Sequence, residues 1–247
     1  VALLLNSLKL ISLFFFINLI VISKNKTKND YDENFYKIYN NYNKFSLYTG
    51  AYGPYQKFTF QILNNNNQII GYSKIGTNQI TNLRIKNEIK FLGKLNTFNF
   101  KSLSVPRLMG QFEINNTLAI CQSNEFKNVK QSQINYTSIH NAVLIELFNN
   151  TKKNVNSQEY INQIKESYNN YSKIMFVNNQ NQIFKNTFKY LESELLNKDL
   201  TIGISHGDFN SWNILNLKDK LYIFDWELAS YRIPLWDFFH FMIFYYF

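Results

Sequence analysis

The sequence predicts an α+β fold in two parts, an antiparallel-sheet part followed by a mainly helical one. Three observations lead there. From Phe45 to Ser123 the apolar residues stand in short aromatic-rich runs divided by glycine or asparagine turns, the pattern of strands. From Ser138 to Leu196 they recur at three- and four-residue intervals, the pattern of helices. Near the end, Ile214-Leu215 and Leu221 to Phe224 flank Lys218-Asp219-Lys220 and read as a hairpin.

The elements follow in order. Residues Ala2 to Ile22 are mostly apolar, but the unbroken part, Leu10 to Ile17, is too short to span a bilayer and Lys9 precedes it. The segment is read as a helix packed against the rest of a longer parent protein, with a signal peptide or a membrane anchor as the alternatives. Ser23 to Glu33 is charged and polar and reads as a linker. Phe45 to Tyr48 and Phe58 to Leu63 are strands around a turn holding Gly50 and Gly53; Asn64 to Asn67 make a second turn, and Gln68 to Ile75 a third strand that carries Lys74. Ile85, Ile89 and Leu92 make a helical stripe, and Glu88 sits on it. An acid on a core-facing stripe requires a cation, either Lys74 or its helix neighbour Arg84. Val105-Pro106 and Leu118 to Ser123 complete the strands, and helices follow over Ser138 to Phe148, Tyr160 to Met175 and Ile183 to Leu196. The division expected is 1–34 for the apolar segment and linker, 35–123 for the first lobe and 124–247 for the second. The chain starts at Val1 and stops at Phe247 inside an aromatic run, which reads as a fragment lacking C-terminal helices.

Composition narrows the class. With 45% hydrophobic and 17% aromatic residues among 247, the chain can fill a core, which excludes wholesale disorder. A formal net charge of +9 invites a nucleic-acid reading, but the lysines are scattered and no compact basic run alternates with aromatics. An anionic small molecule accounts for the charge equally well, so no nucleic-acid partner is expected. Cys121, the one cysteine, stands among Leu118-Ala119-Ile120 and reads as a buried strand residue.

The chemistry concentrates in Ile204 to Leu215 and Leu221 to Glu227. Asp208 is followed five positions later by Asn213 and twelve beyond that by Asp225. Phosphoryl transfer uses such a set: an acid to accept the proton of an attacking hydroxyl, and an amide and a second acid as oxygen ligands for magnesium. His206 is read as a residue that holds the loop by hydrogen bonding. Glu227 is read as a prop of the metal loop, and Asp237 as a cap or brace of the last helix.

His206-x-Asp208-x-x-x-x-Asn213 and Ile223-Phe224-Asp225-Trp226-Glu227 resemble the aminoglycoside phosphotransferase and choline kinase family, relatives of the protein kinases. The resemblance implies a two-lobed protein kinase-like fold, with ATP or GTP as donor, Mg2+, and a small alcohol-bearing acceptor. It implies Asp208 as catalytic base, Asn213 and Asp225 as metal ligands, and Lys74, tethered by Glu88, on the α and β phosphates. It further implies that the backbone of the Gly50 to Gly53 turn approaches the phosphates and that Gln122 and Ser123 begin the hinge at the adenine. Three other readings stand beside it. One is a metal hydrolase at His206-x-Asp208, for which His140 and His240 are the remaining histidines. Another is an inactive nucleotide-binding pseudokinase or interaction module. The third is a membrane-linked kinase for an envelope precursor, anchored by residues 2–22. The expected location is the cytoplasm.

Overall fold

The structure is a computed structural model that describes residues 19–22, 30–124, 135–175, 178–195 and 197–246. Its first half is a six-stranded sheet of order β1-β2-β3-β4-β7-β6, antiparallel throughout. The strands are β1 (Leu19–Ile22), β2 (Lys44–Tyr48), β3 (Lys57–Leu63), β4 (Ile69–Gly76), β6 (Leu108–Ile114) and β7 (Thr117–Ser123). Alternation on β3 buries Phe60 and Ile62. The turn from Asn64 to Asn67 closes on the Asn64 carboxamide, whose Oδ1 accepts from the amides of Asn66 and Gln68 at 2.9 Å each.

Helix α1 (Asp30–Ile38) lies against this sheet, and α2 (Gln79–Leu95) crosses its other side. Asn78 starts α2 with a capping box, its side chain taking the Thr81 amide at 3.0 Å. Phe35, Tyr39, Tyr42, Phe45, Phe60, Ile62 and Cys121 form one apolar cluster. Burial pushes the Cys121 thiol up to about 11. The hydroxyl of Tyr39 wedges between β4 and β7: it reaches the carbonyls of Tyr72 (2.7 Å) and Gln122 (3.0 Å) and accepts from the Gln122 amide (2.9 Å). Gly71 leaves room for that ring, which a Cβ at this position would overlap.

The second half is helical around two small sheets. Helices α3 (Ser138–Thr151), α4 (Ser157–Met175), α5 (Asn178–Leu195) and α6 (Trp236–Tyr246) surround β8 (Lys153–Asn156), β9 (Asp199–Ser205) and β12 (Ser230–Arg232), with β9 central. The hairpin β10 (Ile214–Leu217) and β11 (Lys220–Ile223) takes β5 (Leu103–Ser104) as a parallel third strand. The larger core runs through both halves, from Ile85, Leu92 and Ile120 to Ile204, Phe209, Ile223 and Trp226. The fold is α+β, a small antiparallel sheet followed by a mainly helical part.

Several expectations are corrected. Of the linker expected over Ser23 to Glu33, residues 30–33 belong to α1, because Tyr31, Phe35 and Ile38 give that charged stretch one apolar face against the sheet, and 23–29 lie outside the described residues. Leu19–Ile22 pair with β2 as an edge strand and not as a helix; the rest of the apolar segment, 2–18, lies outside the described residues. Pro106 lacks an N–H and cannot join a ladder, so the strand expected there divides into β5 before it and β6 after it. Among the described residues no helix is long and apolar enough to cross a membrane.

Candidate active site

Strand β9 delivers the chain into a loop that its own backbone shape and one carboxylate hold. Gly207 takes φ +85°, and a Cβ there would overlap the Leu228 carbonyl. The buried carboxylate of Asp237, in the first turn of α6, accepts from the Ser205 hydroxyl (2.8 Å) and from the amides of His206 (2.7 Å) and Gly207 (2.9 Å). Asp237 therefore braces this loop in addition to opening its helix. His206 is fully buried. Its Nδ1 accepts from the Asp208 amide (3.2 Å), so the ring proton sits on Nε2 and is donated to the Phe224 carbonyl (2.9 Å). It joins the loop of Asp208 to the loop of Asp225 and does no visible chemistry. Asp208 itself is fixed by two amides, Asn210 Nδ2 at 2.7 Å and Asn213 Nδ2 at 2.9 Å.

Asp225 follows β11 in the left-handed region, φ 67° and ψ 55°. That conformation turns its carboxylate towards the first half of the chain. Lys74 Nζ lies 2.6 Å from Asp225 Oδ1 and 2.8 Å from Glu88 Oε1. Glu88 is fully buried and also accepts from Gln122 Nε2 at 2.9 Å. Burial draws the Lys74 ammonium towards neutrality, but Asp225 and Glu88 outweigh it and hold its pKa above the usual lysine range. Burial likewise pushes Asp225 up, and Lys74 and Lys57 reverse this and hold it well below the usual carboxylate range.

Helix α2 clamps the segment after Asp225. Asn87 Nδ2 donates to the carbonyls of Glu227 and Ala229 at 2.9 Å, and Arg84 pairs with Glu227 at 3.0 Å while stacking over Tyr55. Arg84, expected as a rival for Glu88, thus serves Glu227 instead. Glu227 also holds Lys57, which stands 3.7 Å from Asp225. Lys57 escaped the sequence reading. Its signal is strand parity: Thr59 is opposite Lys74, so Lys57, two residues earlier on β3, shares the Lys74 face.

These groups open on a cleft of about 480 Å3 lined by Gly50, Gly53, Tyr55, Lys57, Lys74 and Asp225. Gly50, with φ +67°, makes the turn above it. Gln122 and Ser123, expected at the start of the hinge, are not among the residues that line this cleft. The Gln122 peptide is engaged by Tyr39, and the Ser123 amide donates to the Arg107 carbonyl at 2.9 Å. The part Gln122 plays is through its side chain, on Glu88. On the helical side, His240 of α6 stands 3.7 Å from Asp208 Oδ1, a neighbour that nothing in the sequence marks. Among the described residues no group of three or more His, Cys, Asp or Glu could hold a metal, which removes the hydrolase-type histidine cluster from those residues.

Residues 162–247 match the model of the phosphotransferase enzyme family. No curated protein matches the chain in sequence. Among solved structures, a gentamicin complex of APH(2")-IIa superposes with a TM-score of 0.52 at 14% identity, over 87% of this chain and 75% of that one. A thermostable mutant of aminoglycoside phosphotransferase APH(4)-Ia in its apo form gives 0.52 at 12% identity, over 78% and 71%. Amicoumacin kinase hAmiN, in complex with AMP-PNP, Ca2+ and Ami, gives 0.50 at 10% identity, over 79% and 63%. Kinase enzymes carry these marks, and the chain has the protein kinase-like fold of the aminoglycoside phosphotransferases together with, in residues 162–247, the sequence signature of the phosphotransferase enzyme family.

Proposed function

We propose that the chain moves the γ-phosphoryl group of a nucleoside triphosphate, ATP or GTP, to a hydroxyl of a small molecule such as an aminoglycoside, choline or a sugar. The observation that carries this reading is one ammonium, that of Lys74, shared between Glu88 on a helix of the first half and Asp225 of the second. That arrangement holds a cation for phosphate beside an acid for metal, on the wall of a nucleotide-sized cleft.

The donor set suits magnesium. Asp225 offers a carboxylate, and Asn213 spends its Nδ2 on Asp208, which leaves Oδ1 of the same amide for a cation. One acid and one amide leave further positions to phosphate and water oxygens, as this ion requires. When bound, it neutralises charge on the bridging phosphate oxygens.

The chain's own residues do the remainder. Lys74 neutralises the α and β phosphates, and the Gly50 to Gly53 turn brings backbone amides over them. Asp208, held by Asn210 and Asn213, orients the acceptor hydroxyl and takes its proton as oxygen attacks phosphorus. Positioning and charge neutralisation supply most of the acceleration. The solved relatives support a compact polar acceptor and an adenine-nucleotide donor: one is a gentamicin complex, and the amicoumacin kinase is bound to AMP-PNP.

The test is Mg-ATP binding by thermal shift, followed by a transfer assay on a panel of alcohols. Asp208→Asn should keep nucleotide binding and lose turnover, and Asp225→Ala should weaken binding of Mg-ATP itself. An Asp208→Asn protein with the parent rate sinks the mechanism.

A further inference from the structure

His240 lies on α6 with its Nδ1 3.2 Å from the carbonyl of Phe209. A carbonyl only accepts, so the neutral ring carries its proton on Nδ1 and turns the bare Nε2 to Asp208 Oδ1, 3.7 Å away. The other two neighbours of that carboxylate, Asn210 Nδ2 and Asn213 Nδ2, are amide donors and cannot take up a proton. Among the described residues, His240 is therefore the titratable side chain set against the base. From the loop, Asp208 is the charged group that faces it. On its own helix Phe244 stacks on the ring at 5.1 Å, and Asp237 is turned to Ser205, His206 and Gly207. The His240 side chain is 23% exposed, which gives a proton a way out to water.

Resting on the phosphotransferase reading, we propose that His240 is a positioning residue that acts through Asp208 and relieves it of the proton taken from the acceptor. As the acceptor oxygen bonds to the γ-phosphorus, the bond from phosphorus to the β,γ-bridging oxygen breaks, and ADP leaves with that electron pair. The acceptor O–H proton passes to Asp208. A movement of roughly 1 Å brings Nε2 to hydrogen-bond distance, and the proton passes to the neutral imidazole, restoring the carboxylate. The imidazolium then releases it to water. An imidazole already protonated cannot accept, so turnover depends on the neutral form of the ring and rises with pH.

The experiment is the pH profile of Mg-ATP turnover, with water as the acceptor when no alcohol is used, in the wild type and in His240→Gln. The wild type should show a single-proton rise with pH. His240→Gln should lose that limb and fall at least about tenfold at its plateau, with Mg-ATP affinity unchanged. An unaltered limb in His240→Gln, beside an inactive Asp208→Asn, overturns the relay and leaves the phosphotransferase reading intact. Absence of wild-type turnover, or full turnover by Asp208→Asn, overturns both. A second measurement does not depend on the fold of His240→Gln: the His240 ring signal is recorded by NMR in the wild type and in Asp208→Asn. The other two histidines, His140 and His206, are fully buried. Loss of the carboxylate should move the His240 ring signal at a fixed pH, and an unmoved signal overturns the coupling.

Discussion

Replacing Lys74 by methionine separates what the shared ammonium does for the fold from what it does for the nucleotide. Glu88 is fully buried and loses its cation, although Gln122 Nε2 still donates to it at 2.9 Å. Removing one partner of a buried pair costs about 3–5 kcal/mol, and the surviving hydrogen bond places this case near the lower end. For a chain of this size each kcal/mol is worth about 2–4 °C, so Lys74→Met should melt roughly 6–12 °C below the wild type. Glu88→Gln alone should cost less, about 1–2 kcal/mol, because Lys74 keeps Asp225 at 2.6 Å. In the double variant no charge is stranded at position 88, and the cycle should show a coupling of about 2 kcal/mol. The assay is urea unfolding of the four proteins at pH 7, with Mg-ATP affinity measured on each. Affinity should fall in Lys74→Met and stay low in the double variant, which should be no less stable than Lys74→Met although it also carries the Glu88 change. Two effects that add within about 0.5 kcal/mol refute the pairing energetics, and full nucleotide affinity without Lys74 refutes its assignment to phosphate.

Asp237→Ala removes the acceptor of three hydrogen bonds from the loop before Asp208; it should cost roughly 3 kcal/mol and slow turnover, and urea unfolding that moves by under about 1 kcal/mol contradicts the brace. Lys57→Met should weaken Mg-ATP binding about tenfold, the equivalent of about 1.4 kcal/mol, and leave adenosine binding unchanged; calorimetric titration with both ligands decides it, and equal losses for the two point to a merely structural lysine. Burial lowers His140 from its ordinary value to about 4, so between about pH 6.5 and 4 the unfolded chain takes up a proton that the folded chain refuses. The sign follows: His140 lowers stability as pH falls through that window, by up to roughly 3 kcal/mol, and adds nothing further below it. Unfolding midpoints of wild type and His140→Gln from pH 4 to 7 should therefore differ in slope, and parallel curves refute the assignment.

The fold class and the hairpin around Lys218-Asp219 were legible because they rest on local periodicity and on short-range turn chemistry. Asp208, Asn213 and Asp225 could be singled out because their spacing lies within one stretch of chain. The juxtaposition of Glu88 with Lys74 was readable from an acid on an apolar stripe, a local anomaly with a tertiary cause. Helix α1 was missed because Asp30, Asp32, Glu33 and Lys37 dominate its composition, although Tyr31, Phe35 and Ile38 carry its buried side. Strand β6 escaped because all of its residues but Ile114 are half-buried or exposed and its register shifts between Leu108 and Gly110. Lys57 depends on a cross-strand register that one strand does not announce. His240 stands in an aromatic run whose periodicity says core, and its approach to Asp208, 32 residues earlier, is set by where α6 lands on that loop.

The phenol of Tyr39 links regions that share no cleft wall. Lys74 lies two residues along β4 from one of its contacts, and Gln122, which tethers Glu88, is another. How deeply the aromatic side of the first helix seats therefore fixes the reach of the ammonium and the angle of its anchor at the same time. Solvent-facing positions of that helix are free to drift, whereas exchanging this one hydroxyl for hydrogen keeps the ring packing and removes its hydrogen bonds to two strands behind the cleft. The setting of the Lys74 ammonium thus depends on a contact at the back of the sheet.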